Sequence, residues 1–414
     1  MTDLIEMGKR AKAASRALAA AGPKKDAALL AAADGLEHAA GEILAANRED
    51  LAAAGAGGMS DALLDRLALN GSRVKGMADG LRGVAAQRDP VGEVVSGFTR
   101  PNGLHIEKVR VPLGVIGIIY EARPNVTADA AAICIKAGSA VILRGGKEAL
   151  RTNTAVEAVL RAAMEQAGLP ADCVQLVRDT THESAQRMMS LTGYLDVLIP
   201  RGGKNLIRSV TENARVPVIE TGWGNCHIYV DASADVAMAA EIVFNAKTSR
   251  PSVCNAAESL LVHRDIAERA LPAIKRRLDE KHVELRGCPR TRAILGDSVV
   301  PATEEDYGTE YLDYIMSAKV VDSMDEAIAH IAKYSSGHSE AIVTESYENA
   351  RRFTAEVDSA AVYVNASTRF TDGGEFGLGA EIGISTQKLH ARGPMGANEL
   401  TTTKFIVTGS GQVR

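Results

Sequence analysis

The chain has 414 residues, of which 46% are hydrophobic and 24% charged, so it is long enough for two or three domains and can bury ample core. A formal net charge of −5 argues against nucleic acid or an anionic membrane as the main partner, although local Arg and Lys clusters could still bind charged ligands. The first residues carry acids without an apolar core, and no apolar run approaches the roughly 20 residues of a membrane helix. We therefore predict neither a secretory signal nor a membrane span.

The five cysteines are scattered along the chain, and no pair has the spacing of a zinc site or a redox motif. Reduced thiols in a cytoplasmic protein are therefore expected. The histidines form no metal-binding pattern with carboxylates, so no metal site is predicted. Cys226 and His227 stand at the start of an apolar strand and are interpreted as core residues rather than as a catalytic pair.

Residues 1 to about 90 are Ala-rich and have the apolar periodicity of amphipathic helices, which we interpret as packing helices without chemistry. The turn Pro101-Asn-Gly103 separates two extended stretches, 93–98 and 104–111, and predicts a protruding hairpin.

From Val111 the chain alternates apolar strands with helices, which is typical of βαβ units and a parallel sheet. In the first run, strands are predicted at 115–120, 140–143, 173–177 and 195–199, and helices at 126–137, 152–167 and 184–191. Extended segments at 218–220 and 228–231 lead into a second run of similar size. There, helices are predicted at 233–248, 266–280, 324–334 and 346–356, and strands at 258–263, 319–322, 341–344 and 361–364. The tail, 399–408, is one long β-type segment, and a terminal strand with no obvious partner often completes a neighbouring subunit's sheet.

Cys254 is the predicted nucleophile. It lies in a segment that is short of bulky apolar side chains, Asn245-Ala-Lys-Thr-Ser-Arg-Pro-Ser-Val-Cys-Asn-Ala-Ala-Glu258, and that runs into an apolar strand. A thiol on a turn beside cations such as Lys247 and Arg250 is biased towards thiolate, which is the nucleophilic form. A cysteine that only fills a core would more often stand inside the apolar run that follows.

The strand at 115–120 ends in Glu121-Ala-Arg-Pro-Asn125, and a helix follows. Ligands of open α/β sheets bind beyond the carboxyl ends of strands, so this loop is well placed for chemistry. Asn125 could donate its side-chain amide to a developing oxyanion, and Arg123 could bind a phosphate or a carboxylate. Asn is also a favoured helix N-cap, and the spacing alone leaves that interpretation open.

Two further strands end in a Gly-Gly turn flanked by cations. The first turn carries Arg144, Gly145, Gly146 and Lys147, and the second carries Arg201, Gly202, Gly203 and Lys204. Small residues let a ribose or phosphate approach the backbone, and a helix N-terminus favours an anion. The second turn does not match G-x-G-x-x-G, and a basic loop in solvent is the alternative interpretation of the first.

A glycine-dense segment, 365–385, carries Arg369, Asp372 and Glu375. Ordering so many glycines costs chain entropy, so a lid or a wall that shapes the substrate site is expected there.

The segments 121–125, 143–147, 199–204, 249–258 and 365–385 together resemble the gamma-glutamyl phosphate reductase family of the aldehyde dehydrogenase superfamily, and the resemblance extends over roughly residues 5–414. It implies an aldehyde-dehydrogenase-like α/β fold with three parts. These are a Rossmann-type cofactor-binding domain at 1–95 and 111–228, a second α/β catalytic domain at 229–394, and a β oligomerisation extension at 96–110 and 395–414.

The resemblance also implies an activity, the NADPH-dependent reduction of L-glutamyl 5-phosphate to L-glutamate 5-semialdehyde and phosphate in proline biosynthesis. A Cys254 thioester would be the intermediate, and Asn125 and the Cys254 N–H would hold its oxyanion. The first Gly-Gly turn lacks the superfamily's acid for a ribose hydroxyl and carries two cations, which favours NADP over NAD. Glu310 matches the segment that reaches the nicotinamide ribose, although a surface acid is an equal interpretation.

Substrate candidates implied by the resemblance are Arg123, Arg250, Glu220 and Arg369. Glu220 stands where hydrolytic aldehyde dehydrogenases carry their general base, but its neighbours match the reductase pattern, which favours a structural or substrate-ammonium contact. The alternatives are a hydrolytic or CoA-acylating aldehyde dehydrogenase and a non-catalytic binding module of the same fold. The expected partners are a second copy of the chain and, because no kinase is present, a separate glutamate 5-kinase.

Overall fold

The computed structural model describes residues 3–121 and 123–414, apart from the side chains of residues 61 and 62. The chain forms two units. The first unit contains the described residues up to Thr221, with Gly377–Gly383 and Met395–Arg414, and the second contains Gly222–Phe376 and Ile384–Pro394.

Up to Thr221, helices precede and then alternate with strands. The helices are α1 Leu4–Ala19, α2 Lys24–His38, α3 Ala40–Ala56, α4 Asp61–Leu67, α5 Gly71–Ala85, α6 Asn125–Lys136, α7 Leu150–Gln166, α8 His182–Met189 and α9 Lys204–Asn213. The strands are β1 Val94–Thr99, β2 His105–Pro112, β3 Val115–Tyr120, β4 Ala140–Arg144, β5 Val174–Leu176 and β6 Val197–Arg201.

From Gly222 onward, strands alternate with helices and the chain ends in a strand. The helices are α10 Val236–Thr248, α11 Arg264–Asp279, α12 Pro289–Leu295, α13 Met324–Tyr334 and α14 Tyr347–Glu356. The strands are β7 Cys226–Val230, β8 Ala257–His263, β9 Glu284–Gly287, β10 Val300–Pro301, β11 Ile315–Val321, β12 Ser339–Val343, β13 Ala361–Val364, β14 Ile384–Ser385, β15 Gly393–Pro394 and β16 Thr401–Thr408. No helix in the described parts of the chain is long and apolar enough to cross a membrane.

Four parallel strands form the main sheet of the first unit, in the order β5-β4-β3-β6. Because the strands are parallel, the loops after β3, β4 and β6 all leave the sheet at its carboxyl edge. The three sequence motifs that follow these strands therefore share one edge. Helix α1 covers the sheet by packing Leu4 and Met7 into the same core as Val115 and Ile119, which confirms a packing role for that N-terminal segment.

Seven parallel strands form the sheet of the second unit, in the order β10-β9-β11-β8-β7-β12-β13. Cys254 precedes β8, so it lies at the amino edge of this sheet. The loops that enter β7, β11 and β12 reach the same edge. They bring residues 222–225, 309–314 and 335–338 to the side of the sheet where the candidate nucleophile stands.

The predicted hairpin is confirmed, and the tail joins it. β1 and β2 pair antiparallel, and β16 pairs with β2 along its whole length, Thr401 opposite Pro112 and Thr408 opposite His105. The tail strand therefore has its partner within the chain, contrary to the expectation that it lacks one. The strands β1 and β16 form the two edges of this three-stranded sheet.

Candidate active site

Cys254 lies on the turn between α10 and β8 and is half-buried, whereas the other four cysteines are buried. All five thiols are free. A nucleophile must be both held and reachable, and Cys254 alone of the five satisfies the second condition.

Asn255, the residue after Cys254, fixes this turn to the loop that follows β13. Its side-chain nitrogen donates to the carbonyl oxygens of Arg369 and Thr371, at 3.2 and 3.0 Å. Its backbone carbonyl accepts the hydroxyl of Thr368 at 2.7 Å. Sequence analysis did not single out Asn255, because these partners lie more than a hundred residues away along the chain.

Two cations, Arg250 and Arg369, stand near the turn. Arg369 donates through Nε to the Ser249 hydroxyl at 3.0 Å and through Nη1 to the Asn255 side-chain oxygen. Burial lowers the pKa of Arg369; Asp372 and Cys254 oppose that shift and Arg250 reinforces it. Arg250 is exposed. Arg369 therefore interacts electrostatically with both Arg250 and the candidate nucleophile.

Lys247 does not act as the free cation that the sequence suggests. It is fully buried, and its ammonium donates to Glu258 Oε2 at 2.5 Å. Burial lowers the pKa of Lys247 and raises the pKa of Glu258 to about 7. Because the pair is mutually compensated, the positive charge beside Cys254 comes from the two arginines.

Glu310 is half-buried in the segment that leads to β11. Its Oε1 accepts the backbone N–H of Gly224 at 2.8 Å. The alternative interpretation of Glu310 as a surface acid in solvent is therefore not observed, because its carboxylate binds the loop that enters β7.

In the first unit, Asn125 is the first residue of α6 and is exposed. The N-cap position belongs to Pro124, and the Asn125 side chain donates to Asp129 Oδ2 at 2.8 Å. The interpretation of Asn125 as a helix N-cap is therefore wrong. Its amide lies on the carboxyl side of β3, as the motif predicts.

The turn after β4 holds its two cations differently. Arg144 donates through Nη2 to the carbonyl oxygens of Thr180 and Thr181, at 2.6 and 2.9 Å, and burial lowers its pKa. Lys147 is exposed. The Glu148 carboxylate folds over Gly146, where a Cβ would stand 2.0 Å from Oε1. Lys147 is thus the more accessible cation, and Glu148 is an acid that the motif analysis overlooked.

The turn after β6 already holds a carboxylate. Glu121 accepts the Gly203 N–H through Oε2 at 2.9 Å, at the N-terminus of α9. A Cβ on Gly202 would lie 2.4 Å from the same oxygen, so a larger residue there would displace the Glu121 carboxylate from this position. Arg201 approaches Glu381 at 3.8 Å. The expected anion position at this helix N-terminus is therefore occupied by the protein's own acid.

Of the other substrate candidates, Arg123 and Glu220 are both half-buried and belong to the first unit. The glycine-dense segment is divided, because Gly377–Gly383 belongs to the first unit and the residues before it to the second. Gly379 packs against the backbone of Gly83 on α5. The part of the expected lid that contains Gly379 is consequently packed against helix α5 of the first unit.

Comparison with known proteins identifies the family to which the chain belongs. A model of the aldehyde dehydrogenase family matches residues 2–291. The chain belongs to the aldehyde dehydrogenase family. This membership confirms the predicted aldehyde-dehydrogenase-like α/β fold.

Several members of the family that are similar to this chain along its whole length are gamma-glutamyl phosphate reductases. The chain is 59% identical over 414 residues to the gamma-glutamyl phosphate reductase of Heliobacterium modesticaldum, covering 100% of this chain and 99% of the relative. It is 60% identical over 408 residues to the protein of that description from Moorella thermoacetica, covering 98% and 97%. The crystal structure of gamma-glutamyl phosphate reductase from Thermotoga maritima superposes with a TM-score of 0.96, at 51% identity and 100% coverage of both chains. The predicted resemblance and enzyme class, an oxidoreductase of this type, are thereby confirmed.

The aldehyde dehydrogenase fold binds a nicotinamide cofactor, and the first unit fits one. Glycine is required in the turn after β4, because a Cβ on Gly145 would lie 2.3 Å from the Asn153 side chain and 3.1 Å from the Tyr120 ring. At the N-terminus of α9, the Gly203 N–H donates to the Glu121 carboxylate, so this position already binds an anionic oxygen. The turn after β4, at the carboxyl edge of a parallel sheet, would approach the ribose or a phosphate of a dinucleotide, whereas a phosphate at the Gly203 N–H would have to displace Glu121.

Proposed function

We propose that the protein reduces L-glutamyl 5-phosphate to L-glutamate 5-semialdehyde and phosphate, with Cys254 as the nucleophile. The observation that carries this proposal is the half-buried thiol on a turn that is anchored by Asn255 and flanked by two arginines. Full-length identity to gamma-glutamyl phosphate reductases supports the choice of substrate. The reaction belongs to proline biosynthesis, and the acyl phosphate would come from a separate kinase.

The Cys254 sulfur, as thiolate, attacks the acyl carbon of the substrate and forms a carbon–sulfur bond. The carbon–oxygen bond to phosphate then breaks, and phosphate leaves with the electron pair. A bound nicotinamide cofactor supplies the hydride that reduces the resulting thioester. When the carbon–sulfur bond breaks, Cys254 recovers its thiolate and the semialdehyde leaves.

We assign the oxyanion of both steps to the Asn125 side-chain amide and the Cys254 N–H, on the strength of the family motif at 121–125. We propose that Arg250 and Arg369, whose charges lie near Cys254, stabilise the negative charge of the departing phosphate. Phosphate is a good leaving group, so these charges suffice without a general acid. Arg123 is a second candidate to stabilise the departing phosphate. Glu220 is a candidate to contact the ammonium group of the substrate.

We propose NADP as the cofactor, with Lys147 as the residue that binds the 2′-phosphate. The exposure of Lys147 supports this, whereas Arg144 is engaged with two backbone carbonyls. Glu310 is proposed to bind the nicotinamide ribose. The roles of the two units follow from these assignments: the first unit binds the cofactor and the second carries the nucleophile. We also propose that the protein acts in the cytoplasm.

We further propose that the three-stranded sheet mediates homo-oligomerisation. Val407, Ile106 and Phe98 lie in one row across its three strands, and Phe405 lies on the same face. Phe405 is 65% exposed, Val407 54% and Phe98 51%. Such an apolar face on a sheet with two open edges is suited to a second copy of the chain.

The proposal is tested by following NADP reduction with glutamate 5-semialdehyde, with and without inorganic phosphate. Wild type should require phosphate, and Cys254→Ala should lose at least about a thousandfold in kcat, since removal of a covalent nucleophile has effects of this order. Turnover without phosphate would indicate hydrolysis, with Glu220 as base. Turnover that requires CoA instead of phosphate would indicate a CoA-acylating aldehyde dehydrogenase. Absence of turnover under all of these conditions would indicate a non-catalytic binding module.

A further inference from the structure

The loop that enters β7 lies directly on the backbone of the candidate nucleophile. Gly224 is buried, and a Cβ at this position would lie 1.5 Å from the Cys254 carbonyl oxygen and 2.7 Å from its Cα. No side chain larger than hydrogen fits. Any displacement of Gly224 must therefore displace Cys254 or open a gap beneath it.

Cys226 holds the same carbonyl group from the start of β7. Its Sγ donates to the Cys254 carbonyl oxygen at 3.2 Å. Burial raises the pKa of Cys226 well above that of an ordinary thiol, so this sulfur keeps its proton and remains a donor. The interpretation of Cys226 as a plain core residue is thus incomplete, because the thiol contacts the turn of the nucleophile.

Two residues anchor the Gly224 loop to the rest of the second unit. Asn225 is buried and donates through Nδ2 to the carbonyl oxygens of Tyr307 and Tyr334, each at 2.8 Å. Gly224 donates its N–H to Glu310 Oε1, also at 2.8 Å. The first anchor ends on backbone groups, whereas the second ends on a half-buried charged side chain.

We propose that Glu310 is a positioning residue for Cys254, acting through Gly224. The hydrogen bond from Gly224 to Oε1 keeps the loop seated on the nucleophile's backbone, and it uses only one of the two carboxylate oxygens. The other oxygen is then the one for the cofactor ribose. The position of the thiol and the binding of the cofactor consequently share one side chain; this inference rests on the proposed function of Cys254 and Glu310.

The test measures alkylation of Cys254 by iodoacetamide in cofactor-free enzyme, read by peptide mass spectrometry over a range of pH. Wild type is compared with Glu310→Gln, whose amide oxygen can still accept the Gly224 N–H, and with Glu310→Ala, which cannot. Glu305→Ala, an exposed acid in the preceding turn, serves as the matched control, and Cys254→Ser gives the background. Thermal melting checks that each variant is folded.

Both variants remove the carboxylate charge, and removing a negative charge does not by itself slow the reaction of a thiolate; the two variants differ in the hydrogen bond to Gly224. We expect Glu310→Ala nevertheless to react about fivefold more slowly than wild type, the equivalent of one lost hydrogen bond, and Glu310→Gln to react at least as fast as wild type. In turnover, Glu310→Ala should lose kcat, whereas Glu310→Gln should mainly raise the KM of the cofactor.

The proposal is overturned if Glu310→Ala alkylates as fast as wild type and changes only the KM of the cofactor. It is also overturned if the alanine and glutamine variants are slowed equally, because charge rather than the hydrogen bond would then be responsible. Alkylation needs neither substrate nor cofactor. A failure of the proposed reaction would therefore appear in the phosphate-dependence assay and leave this measurement interpretable.

Discussion

Lys147 and Glu148 follow Gly146 with opposite charges, and their balance bears on which dinucleotide the first unit prefers. Lys147 is exposed at the end of β4, and the Glu148 carboxylate lies over Gly146. A 2′-phosphate would gain from the ammonium and be repelled by the carboxylate, whereas a 2′-hydroxyl could donate a hydrogen bond to the carboxylate and would gain little from the ammonium.

We predict that Lys147→Ala raises the KM for NADP about tenfold, the value of one charge-assisted hydrogen bond, and leaves the KM for NAD nearly unchanged. Glu148→Gln should lower the KM for NADP, because it removes the opposing charge without changing size. Steady-state kinetics with both cofactors checks this, and NAD serves as the internal control. Equal changes for the two cofactors would show that neither side chain meets the 2′-position.

At the scale of secondary structure, α10 and β8 flank the nucleophile and are joined beneath it by one buried ion pair. Lys247 lies in the last turn of α10 and Glu258 in β8, and Glu258 Oε1 also accepts the Leu312 N–H at 3.2 Å. The pair therefore fixes both ends of the turn that carries Cys254. A buried pair of this kind costs desolvation to form, but breaking it leaves an uncompensated charge.

We predict that Lys247→Met or Glu258→Leu alone destabilises the protein by about 3–5 kcal/mol, whereas the double variant recovers much of the loss. Thermal melting of the four proteins forms the double-mutant cycle that checks this. Additive losses in the double variant would mean that the two side chains do not act as a pair.

The same pair predicts a pH dependence. Burial raises the pKa of Glu258 from 4.5 to about 7, so the folded protein binds this proton more tightly than the unfolded chain. The associated stability is full below the unfolded pKa and is lost as pH rises through the folded pKa. The melting temperature of wild type should therefore fall relative to the double variant between about pH 4.5 and about pH 7. A constant difference across that range would contradict it.

Sequence periodicity places most elements within a few residues of their observed bounds, because strands such as Val115–Tyr120, which is buried along its whole length, are nearly continuous apolar runs. Three segments behave otherwise. The extended stretch at 218–220 makes only a single bridge, from Val218 to Leu198, and β9 and α12 escape prediction because they are short and polar.

The candidate site is predictable where it depends on local motifs and unpredictable where it depends on which loops meet. Cys254 and the turns after β3, β4 and β6 stand in recognisable local patterns. The partners of Asn255, Lys247 and Gly224 are set by tertiary packing. The glycines on either side of Trp223 are the local signal that could have indicated the close approach of the Gly224 backbone to the Cys254 backbone.

At the scale of the whole molecule, the three-stranded sheet presents the apolar face that we assign to a second copy. Phe405 is the largest exposed side chain of β16, with Val407 beside it on that face and Lys108 opposite it on β2. Burial of such side chains contributes roughly 25 cal/mol per Å² of apolar surface, so a charge at its centre should prevent association.

We predict that Phe405→Lys lowers the mass of the particle in solution, measured by size-exclusion chromatography with light scattering. Tyr347→Lys is the matched control, because Tyr347 is 78% exposed on α14 and belongs to the second unit. An unchanged mass in Phe405→Lys, or an equal change in both variants, would remove this face as the interface.

In the proposed reaction, the acyl group passes through Cys254 and, in the oxidative direction, is released by phosphate. The most direct measurement mixes enzyme, glutamate 5-semialdehyde and NADP without phosphate, quenches the reaction, and analyses the peptide that contains Cys254 by mass spectrometry. We predict one NADPH per active site and a glutamyl adduct on Cys254 that disappears when phosphate is added. Continued turnover without phosphate, or a stoichiometric burst with no adduct on Cys254, would contradict the account.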